Sequence, residues 1–552
     1  MKRATLLLCA LVLAAGIAAG VERFPPPDFT SGYRVPEPTT APPRSAALEY
    51  VDVAVLVVAL AAASLLALRF RSRAGLLVVM IFSLGYFGFY RKGCVCPIGA
   101  IQNVAMGIFD SGYAVPVVVL AFFLLPLVFT LLFGRTFCAA VCPLGAIQDV
   151  VLLRPLRVPG WLGHALGLLA YVYLGAAVLL AATGSAFLIC RYDPFVGLFR
   201  LSANRNMLIL GACFLVIGMF VARPYCRFLC PYGAILRPLS NLSKWHATIT
   251  PDECVRCRLC EDACPFDAIR PANPEVSTRP RTQGKGVLAG LLVLLPVLIV
   301  GGGWLGSWLD GPLSAVHYKV RLAEQVRREE LVKDLSRRAE PGPLQIDGRE
   351  VRVETAGGQS RAVCTDRQSG KELWRRPLDR GAVPDPAEAR LAPDGQNLWV
   401  ILQPQGAEPA SGSETVHALI CLRSDSGRLV WRDEVAFGGI TSNSYAFRNS
   451  AEFRSASQSE KELYEGLYAQ AGRIRRQIHW GGWAFGAFVG AVVALKLISL
   501  SVYRKRSDYV PDRATCLSCG RCFRSCPVER RRRKTKQQGR GEPAEPVPND
   551  SQ

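Results

Sequence analysis

Histidine is scarce in this chain, five in 552 residues. Haem b held between membrane helices needs opposed histidines inside apolar runs. His317 and His479 only flank such runs, and His164 and His246 are weaker candidates still, so haem is not expected. Acidic residues are also few beside basic ones, 44 against 65, for a formal charge of +21. The basic run Arg530 to Lys534 could meet nucleic acid, but basic flanks beside membrane helices more simply mark the cytoplasmic side and touch anionic lipid. No nucleic-acid partner is expected. Charge is almost missing from runs near 4–20, 51–68, 74–90, 115–133, 163–189, 207–222, 287–306 and 481–502. Crossing roughly 30 Å of hydrocarbon takes about 20 such residues. A purely soluble protein is excluded, and seven to eight membrane spans are expected.

The run after Met1-Lys2-Arg3 is either a signal peptide or a first span, and the Pro-rich 21–50 stretch reads as an exported linker. If Lys2 and Arg3 stay inside, strict alternation places Arg69 to Arg73, Arg154 and Arg157, Arg223 to Lys244, and Arg504 to Arg506 inside as well. Arg91-Lys92 falls outside and runs against the bias.

Cysteine is what the chain has in excess, nineteen in all. Cys254-x2-Cys257-x2-Cys260-x3-Cys264-Pro265 and Cys516-x2-Cys519-x2-Cys522-x3-Cys526-Pro527 share one spacing. That spacing gives three thiolates to one 4Fe-4S cluster and sends the fourth to the other cluster of a two-cluster ferredoxin. A zinc site needs two pairs and does not explain the third step or the trailing proline. The motifs lie some 250 residues apart with two spans between them, both on the cytoplasmic side. They read as one split ferredoxin: Cys254, Cys257, Cys260 and Cys526 for one cluster, Cys516, Cys519, Cys522 and Cys264 for the other. Arg256, Arg258, Arg521 and Arg524 sit between these ligands, either as solvated surface or as groups offsetting cluster charge.

Three more loops repeat a pattern: Gly93 to Gln102 (GCVCPIGAIQ), Phe137 to Gln148 (FCAAVCPLGAIQ) and Tyr225 to Leu236 (YCRFLCPYGAIL). The proline turns the chain and the following glycine permits close backbone approach. Cys138, Cys142, Cys226 and Cys230 emerge at the inner ends of the fourth and sixth spans, a complete ligand set for an inner-face metal site. Cys94 and Cys96 fall on the opposite face with Cys190 of Cys190-Arg-Tyr-Asp-Pro-Phe195, an outer-face site with Asp193 or another group as fourth ligand. Inert thiols, or outside a disulfide, are the alternative. Most of the hydrocarbon core would separate the two sites unless the loops dip inward or a quinone bridges them. Cys9 and Cys213 are packing residues.

With these motifs in hand, the chain resembles the NosR/NapH-type membrane-bound polyferredoxins over about 74–270 and 481–527, and more distantly the CcoG-type oxidase-assembly proteins. The resemblance implies an electron carrier of the bacterial cytoplasmic membrane. It would pass electrons between the quinone pool or cytoplasmic donors and a periplasmic redox partner, as a component of an oxidoreductase system rather than a stand-alone enzyme. The alternative is a redox sensor or metalloenzyme assembly factor. NosR-type proteins carry an exported flavin domain, but 21–50 is too short for one and no Ser/Thr-Gly-Ala-Thr signature occurs, so covalent FMN is not expected.

Residues 307–480 are an insertion read as exported. Val316, Val320, Ala323, Leu331 and Leu335 form one helical stripe, and Leu463, Leu467, Ala471, Ile474 and Ile478 another, a stalk prolonging the last two spans. Between them Val363 to Trp374 aligns with Ile420 to Trp431, with Cys364 and Cys421 equivalent, and Pro393 to Trp399 adds a third hairpin signal. These look like quinoprotein-type propeller blades, but roughly 100 residues cannot close a propeller of four 40-residue blades. A small β-rich module is expected, docking a periplasmic redox protein, its two cysteines either bonded or buried.

The expected fold is thus a mainly α-helical polytopic membrane protein with a split ferredoxin and an exported β-rich module. Its parts are 1–20 (signal or span), 21–50 (linker), 51–245 (membrane domain), 246–280 (first ferredoxin half), 287–306 (span), 307–480 (stalk and module), 481–502 (span), 507–530 (second ferredoxin half) and 531–552 (basic disordered tail). Two 4Fe-4S clusters are expected, with one or two further iron–sulfur or metal centres at the Cys-Pro loops.

Overall fold

The computed structural model describes residues 45–531 except 94–95, 202–203, 250–253, 272–280, 328–339, 342, 347, 357–358, 379–385, 395–396, 405–414, 438–459, 503–505, 507 and 530. The leader at 1–20, Cys9, most of the 21–50 linker, Cys94, Leu331, Leu335 and the tail from 532 lie outside the described residues.

The chain is mostly helical and divides into two compact units, one built mainly from 38–314 and 476–552, the other mainly from 315–475. Among the described residues, five helices are long and apolar enough to cross a membrane: Ala47–Leu68, Arg73–Tyr90, Gly160–Ala182, Gly286–Ser307 and Tyr464–Ser501. Pro97–Phe109, Val117–Phe133 and Arg205–Phe220 are shorter apolar helices. The linker ends earlier than expected, because the first described helix begins at Ala46. Pro43 is the last proline, and Ala46-Ala47-Leu48-Glu49 are strong helix formers.

Arg91, which runs against the charge bias, sits 2.8 Å from the buried Asp52, which also accepts from Tyr86 Oη at 2.7 Å. Its charge is neutralised inside the bundle, so it carries little weight for orientation. Helix Arg73–Ser83 runs into a π-helical turn, Leu84–Tyr90, and a second π turn, Phe137–Val141, precedes helix Pro143–Val150. Such turns often mark functional positions. The second one carries Cys138.

Helices Arg281–Ser307 and Glu460–Ser501 meet glycine against glycine. A methyl group on Gly486 would fall 2.0 Å from the Gly302 carbonyl oxygen, and one on Gly306 2.2 Å from that of Gly482. Small residues four apart on both helices let the backbones touch, the packing that associates helices in lipid.

The second unit has two antiparallel sheets. Its strands are β1 (Glu340–Pro341), β2 (Leu344–Ile346), β3 (Arg349–Ala356), β4 (Gln359–Asp366), β5 (Glu372–Pro377), β6 (Pro386–Asp394), β7 (Asn397–Pro404), β8 (Thr415–Arg423) and β9 (Leu429–Phe437). They order as β2-β3-β4-β5 and β9-β8-β7-β6-β1. The repeated sequence makes a repeated structure. Cys364 pairs with Trp374 and Cys421 with Trp431 across equivalent hairpins, each closed through a left-handed glycine, Gly370 and Gly427. The N–H of Gly370 donates to Asp366 O, and that of Gly427 to Arg423 O, both at 2.8 Å. Trp374 donates Nε1 to Ser424 O and lies against Gly427, so one hairpin seats the turn of the other. Cys364 and Cys421 are both buried and are not joined in a disulfide. Val320, Ala323 and Val326 pack on Tyr464, Leu467 and Ala471, the stalk contact within this unit.

Candidate metal centres

The two ferredoxin halves, 242 residues apart, are tied by backbone. Ile269-Arg270 pairs antiparallel with Val510-Pro511, Asp512 N donates to Ala268 O at 2.7 Å, and Arg270 pairs with Asp512 at 2.9 Å. Each half bends the same way. Arg256 and Ser518, two residues past the first cysteine, and Arg258 and Gly520, one past the second, all have left-handed backbone. Those bends turn consecutive thiols inward. Arg258 donates Nε to Tyr509 Oη at 3.2 Å, and Arg521 donates to Asp149 at 3.2 Å. Both arginines are therefore anchored rather than freely solvated.

Cys526 lines a cavity together with Cys254, Cys257 and Cys260, closed by Ile249 and Tyr509. Cys264 packs against the cluster of Ile249, Cys260, Ile269 and Tyr509 and reaches the second half as well. It packs with Cys516 and Cys519 against Phe266 and Leu517, and Cys522 is an electrostatic neighbour of all three. Cys526 thus stands beside the first half's trio and Cys264 beside the second's. Burial pushes the Cys516 thiol up to about 12 and Cys260 to about 11. Burial, followed by Cys519, Cys516 and Cys264, raises Cys522 well above an ordinary thiol. Thiolates are stable in such places only beside a compensating cation or metal. Some compensation is built in: Ser518 N donates to Cys516 Sγ at 3.5 Å.

The Cys-Pro loops converge as well. Cys142 and Cys230 are buried in the membrane core, with Cys138 and Cys226 packed against it. All four are mutual electrostatic neighbours. Cys96, Cys142 and Cys230 each stand at the N-cap of a helix with proline in its first turn. Proline suits that position because its missing N–H would have no partner there. The positive helix end faces the sulfur, and Cys230 Sγ accepts from Gly233 N at 3.3 Å.

Several residues that sequence reading missed complete this site. Gln148 accepts from Tyr225 N at 3.1 Å and donates Nε2 to Cys226 Sγ at 3.3 Å, clamping one loop to the other. Arg135 reaches Cys138 Sγ at 3.7 Å and Ala514 O at 3.1 Å. Arg223, 1% exposed and left-handed at φ 48°, donates to the carbonyls of Cys138 and Ala139. It has Cys226, Cys519 and Cys138 as electrostatic neighbours, so it lies between the loop quartet and the ferredoxin.

Asp149 collects Arg73 at 2.6 Å, Arg521 at 3.2 Å and Arg223 at 3.4 Å. Burial alone would raise its carboxyl, but Arg223, Arg521 and Arg73 outweigh that and hold it far below the carboxylate range. Arg73 also donates to Cys519 O at 3.1 Å, fixing the second ferredoxin half to the membrane body. The sequence signal was present in part: the Gln of GAIQ recurs in two of the three loops.

Cys96 packs against the same core as the inner quartet and is an electrostatic neighbour of Cys142. Of the two alternatives, inward-dipping loops or a bridging quinone, this shared core agrees with the first. Cys96 neighbours Cys190 and Asp193, whereas Cys213 is exposed on its helix. His317 accepts from Lys319 N, and His479 pairs with Asp310.

Among the described residues, no three His, Cys, Asp or Glu side chains converge tightly enough to share a single ion. Four thiolates on one zinc at about 2.3 Å must crowd together. A cubane takes one thiolate at each iron and holds them further apart. A set of four cysteine sulfurs is the donor chemistry that a 4Fe-4S cubane takes.

The family described as 4Fe-4S binding domain matches at 115–168 and 206–249, spanning Cys138, Cys142, Cys226 and Cys230, and a second family of that description matches at 247–270. An uncharacterised protein of Methanocaldococcus jannaschii, MJ0750, is 30% identical over 191 residues, 33% of this chain and 77% of that protein. YccM of Escherichia coli, whose name assigns it provisionally to electron transport, is 26% identical over 31% of this chain and 52% of its own. NirI of Paracoccus denitrificans is 31% identical over 22% of this chain and 18% of its own. The chain thus spans about half of YccM and under a fifth of NirI. No solved structure matches.

Proposed function

Because the chain belongs to the NosR/NapH-type membrane-bound polyferredoxins, we propose that this iron–sulfur electron-transport protein carries electrons along three thiolate quartets. These are Cys254/Cys257/Cys260/Cys526, then Cys264/Cys516/Cys519/Cys522, then Cys138/Cys142/Cys226/Cys230. Bound clusters would supply one-electron chemistry. The chain's residues hold the thiolates, exclude water and set the local charge. The reading rests on one observation above all, Cys526 in the cavity of the first-half trio.

The sequence order of charge argues for ferredoxin halves in the cytoplasm and 307–480 exported from the bacterial inner membrane, where the β-rich module would dock a periplasmic redox protein. The donor would be the quinone pool or a cytoplasmic reductant. These placements rest on basic flanks and membrane-length helices.

The test is electron paramagnetic resonance of anaerobically purified full-length protein. Cys526→Ser should disturb the same signal as Cys254→Ser, and Cys264→Ser the same signal as Cys516→Ser. The opposite grouping would break the crossed ligation. Reconstituted vesicles with an external reductant and an enclosed acceptor test transfer; failure to reduce the acceptor would leave a sensor or assembly role instead.

A further inference from the structure

The loop Cys190-Arg-Tyr-Asp-Pro-Phe-Val196 carries no second cysteine, yet it is built like Cys226-Arg-Phe-Leu-Cys-Pro-Tyr-Gly233 with one residue fewer. The alignment sets Asp193 where the other loop has Cys230, each followed by proline and an aromatic residue. Geometry supports it. Cys230 Sγ accepts the N–H of Gly233, three residues on, and Asp193 Oδ1 accepts that of Val196, also three residues on, at 3.1 Å, with Phe195 N at 2.8 Å.

The partner loops correspond too. Gln148 accepts from the backbone N–H before Cys226, and Gln102 accepts from Ile189 at 2.9 Å and from Cys190 at 3.2 Å. Cys96 receives the N–H of Gly99 at its helix N-cap, and a methyl on Gly99 would sit 3.6 Å from Cys190 Sγ. So the Cys96 loop faces the Cys190 loop as the Cys142 loop faces the Cys226 loop.

One mismatch between the two pairs points to a ligand. Gln148 spends Nε2 on Cys226 Sγ, but Nε2 of Gln102, a residue fully shielded from solvent, has no partner among the described residues. A buried amide donor left unpaired loses its hydration with nothing in return. Among the described residues, Oδ2 of Asp193 accepts only from Tyr225 Oη at 3.5 Å, long for a hydroxyl bond.

We infer that the Cys190 loop is a degenerate fourth copy of the Cys-Pro loop, and that Cys96, Cys190 and Asp193 hold a further iron–sulfur group through two thiolates and a carboxylate, with Gln102 donating to it. This rests on the proposed electron-carrier reading. The competing role for Asp193 is accepting the N–H groups of Phe195 and Val196 at the start of helix Val196–Arg200, which asparagine performs equally well without supplying an anionic ligand.

Full-length protein purified anaerobically in detergent, with iron, acid-labile sulfide and Mössbauer spectra measured, tests the site. Asp193→Asn should lose one iron environment and its sulfide while keeping the wild-type elution profile. Asp193→Cys should keep the iron and shift that component toward all-thiolate parameters. Cys96→Ser with Cys190→Ser should remove the same component. Unchanged iron, sulfide and spectra in Asp193→Asn would overturn the site while the ferredoxin components stand. Absence of ferredoxin components from the wild type would instead overturn the electron-carrier reading, and this inference with it.

Discussion

The two ferredoxin halves have one spacing and one set of backbone bends, yet they live in different surroundings. In the first half Cys257, Val255 and Leu259 are exposed. In the second, Cys519, Leu517 and Ser518 are buried against the membrane body, fastened through Asp149, Arg73 and Arg135. Identical local sequence rules therefore leave Cys257 of one trio at the surface and set the other trio against the Cys-Pro loops. Under the proposed function, the first half is the part a donor would approach and the second the passage onward.

The harshest way to break that contrast is Asp149→Asn. It leaves Arg73, Arg223 and Arg521 around a neutral group, and breaking such a buried pair costs about 3–5 kcal/mol. The second half should detach, seen as selective loss of the Cys264/Cys516/Cys519/Cys522 signal and a lower Tm, while the first half's signal survives in part. Because the Asp149 carboxyl is held below its ordinary value, its contribution is present above about pH 3.9. It fades only as pH falls through the depressed folded value. Between pH 5 and 8 the anchoring should be flat, and a loss in that window would point to another group.

Next comes Arg223→Gln. Taking a buried cation from between Cys226, Cys138 and Cys519 should make midpoint potentials on both sides more negative. An interaction of about 1–2 kcal/mol corresponds to about 40–90 mV for one electron. Redox titration should show the Cys254 cluster almost unmoved, which separates a local charge effect from general loosening.

The smallest effects sharpen the comparison of bends. Gly520→Ala should cost about 1 kcal/mol, since its left-handed backbone penalises a Cβ while the nearest side-chain atom, on Leu76, leaves ordinary room at 3.4 Å. Ser518→Gly should gain a similar amount or less. Chemical denaturation of the two variants beside wild type reads both.

Much of this was legible from local pattern. The apolar runs from 51 onward, the shared spacing at Cys254 and Cys516 and the Ser-Gly hairpins at 369–370 and 426–427 are all short-range signals, and the described helices and strands carry them. Asp149 was not legible, because its partners Arg73 and Arg521 stand 76 and 372 residues away and no local period marks such a meeting. The depth of Cys96 was legible only as one of two alternatives. Span length says where a helix ends, but not that the loop beyond it folds back into the bundle. Arg223 looked like one more inside charge, and only its left-handed backbone and complete burial reveal it as a bridge.

The glycine-to-glycine contact of Gly302 and Gly306 with Gly482 and Gly486 works as a clasp at the neck of a purse. Whatever length of chain is looped out between the two helices, the strings return side by side, so the pouch can be enlarged, trimmed or exchanged without altering where the ends emerge.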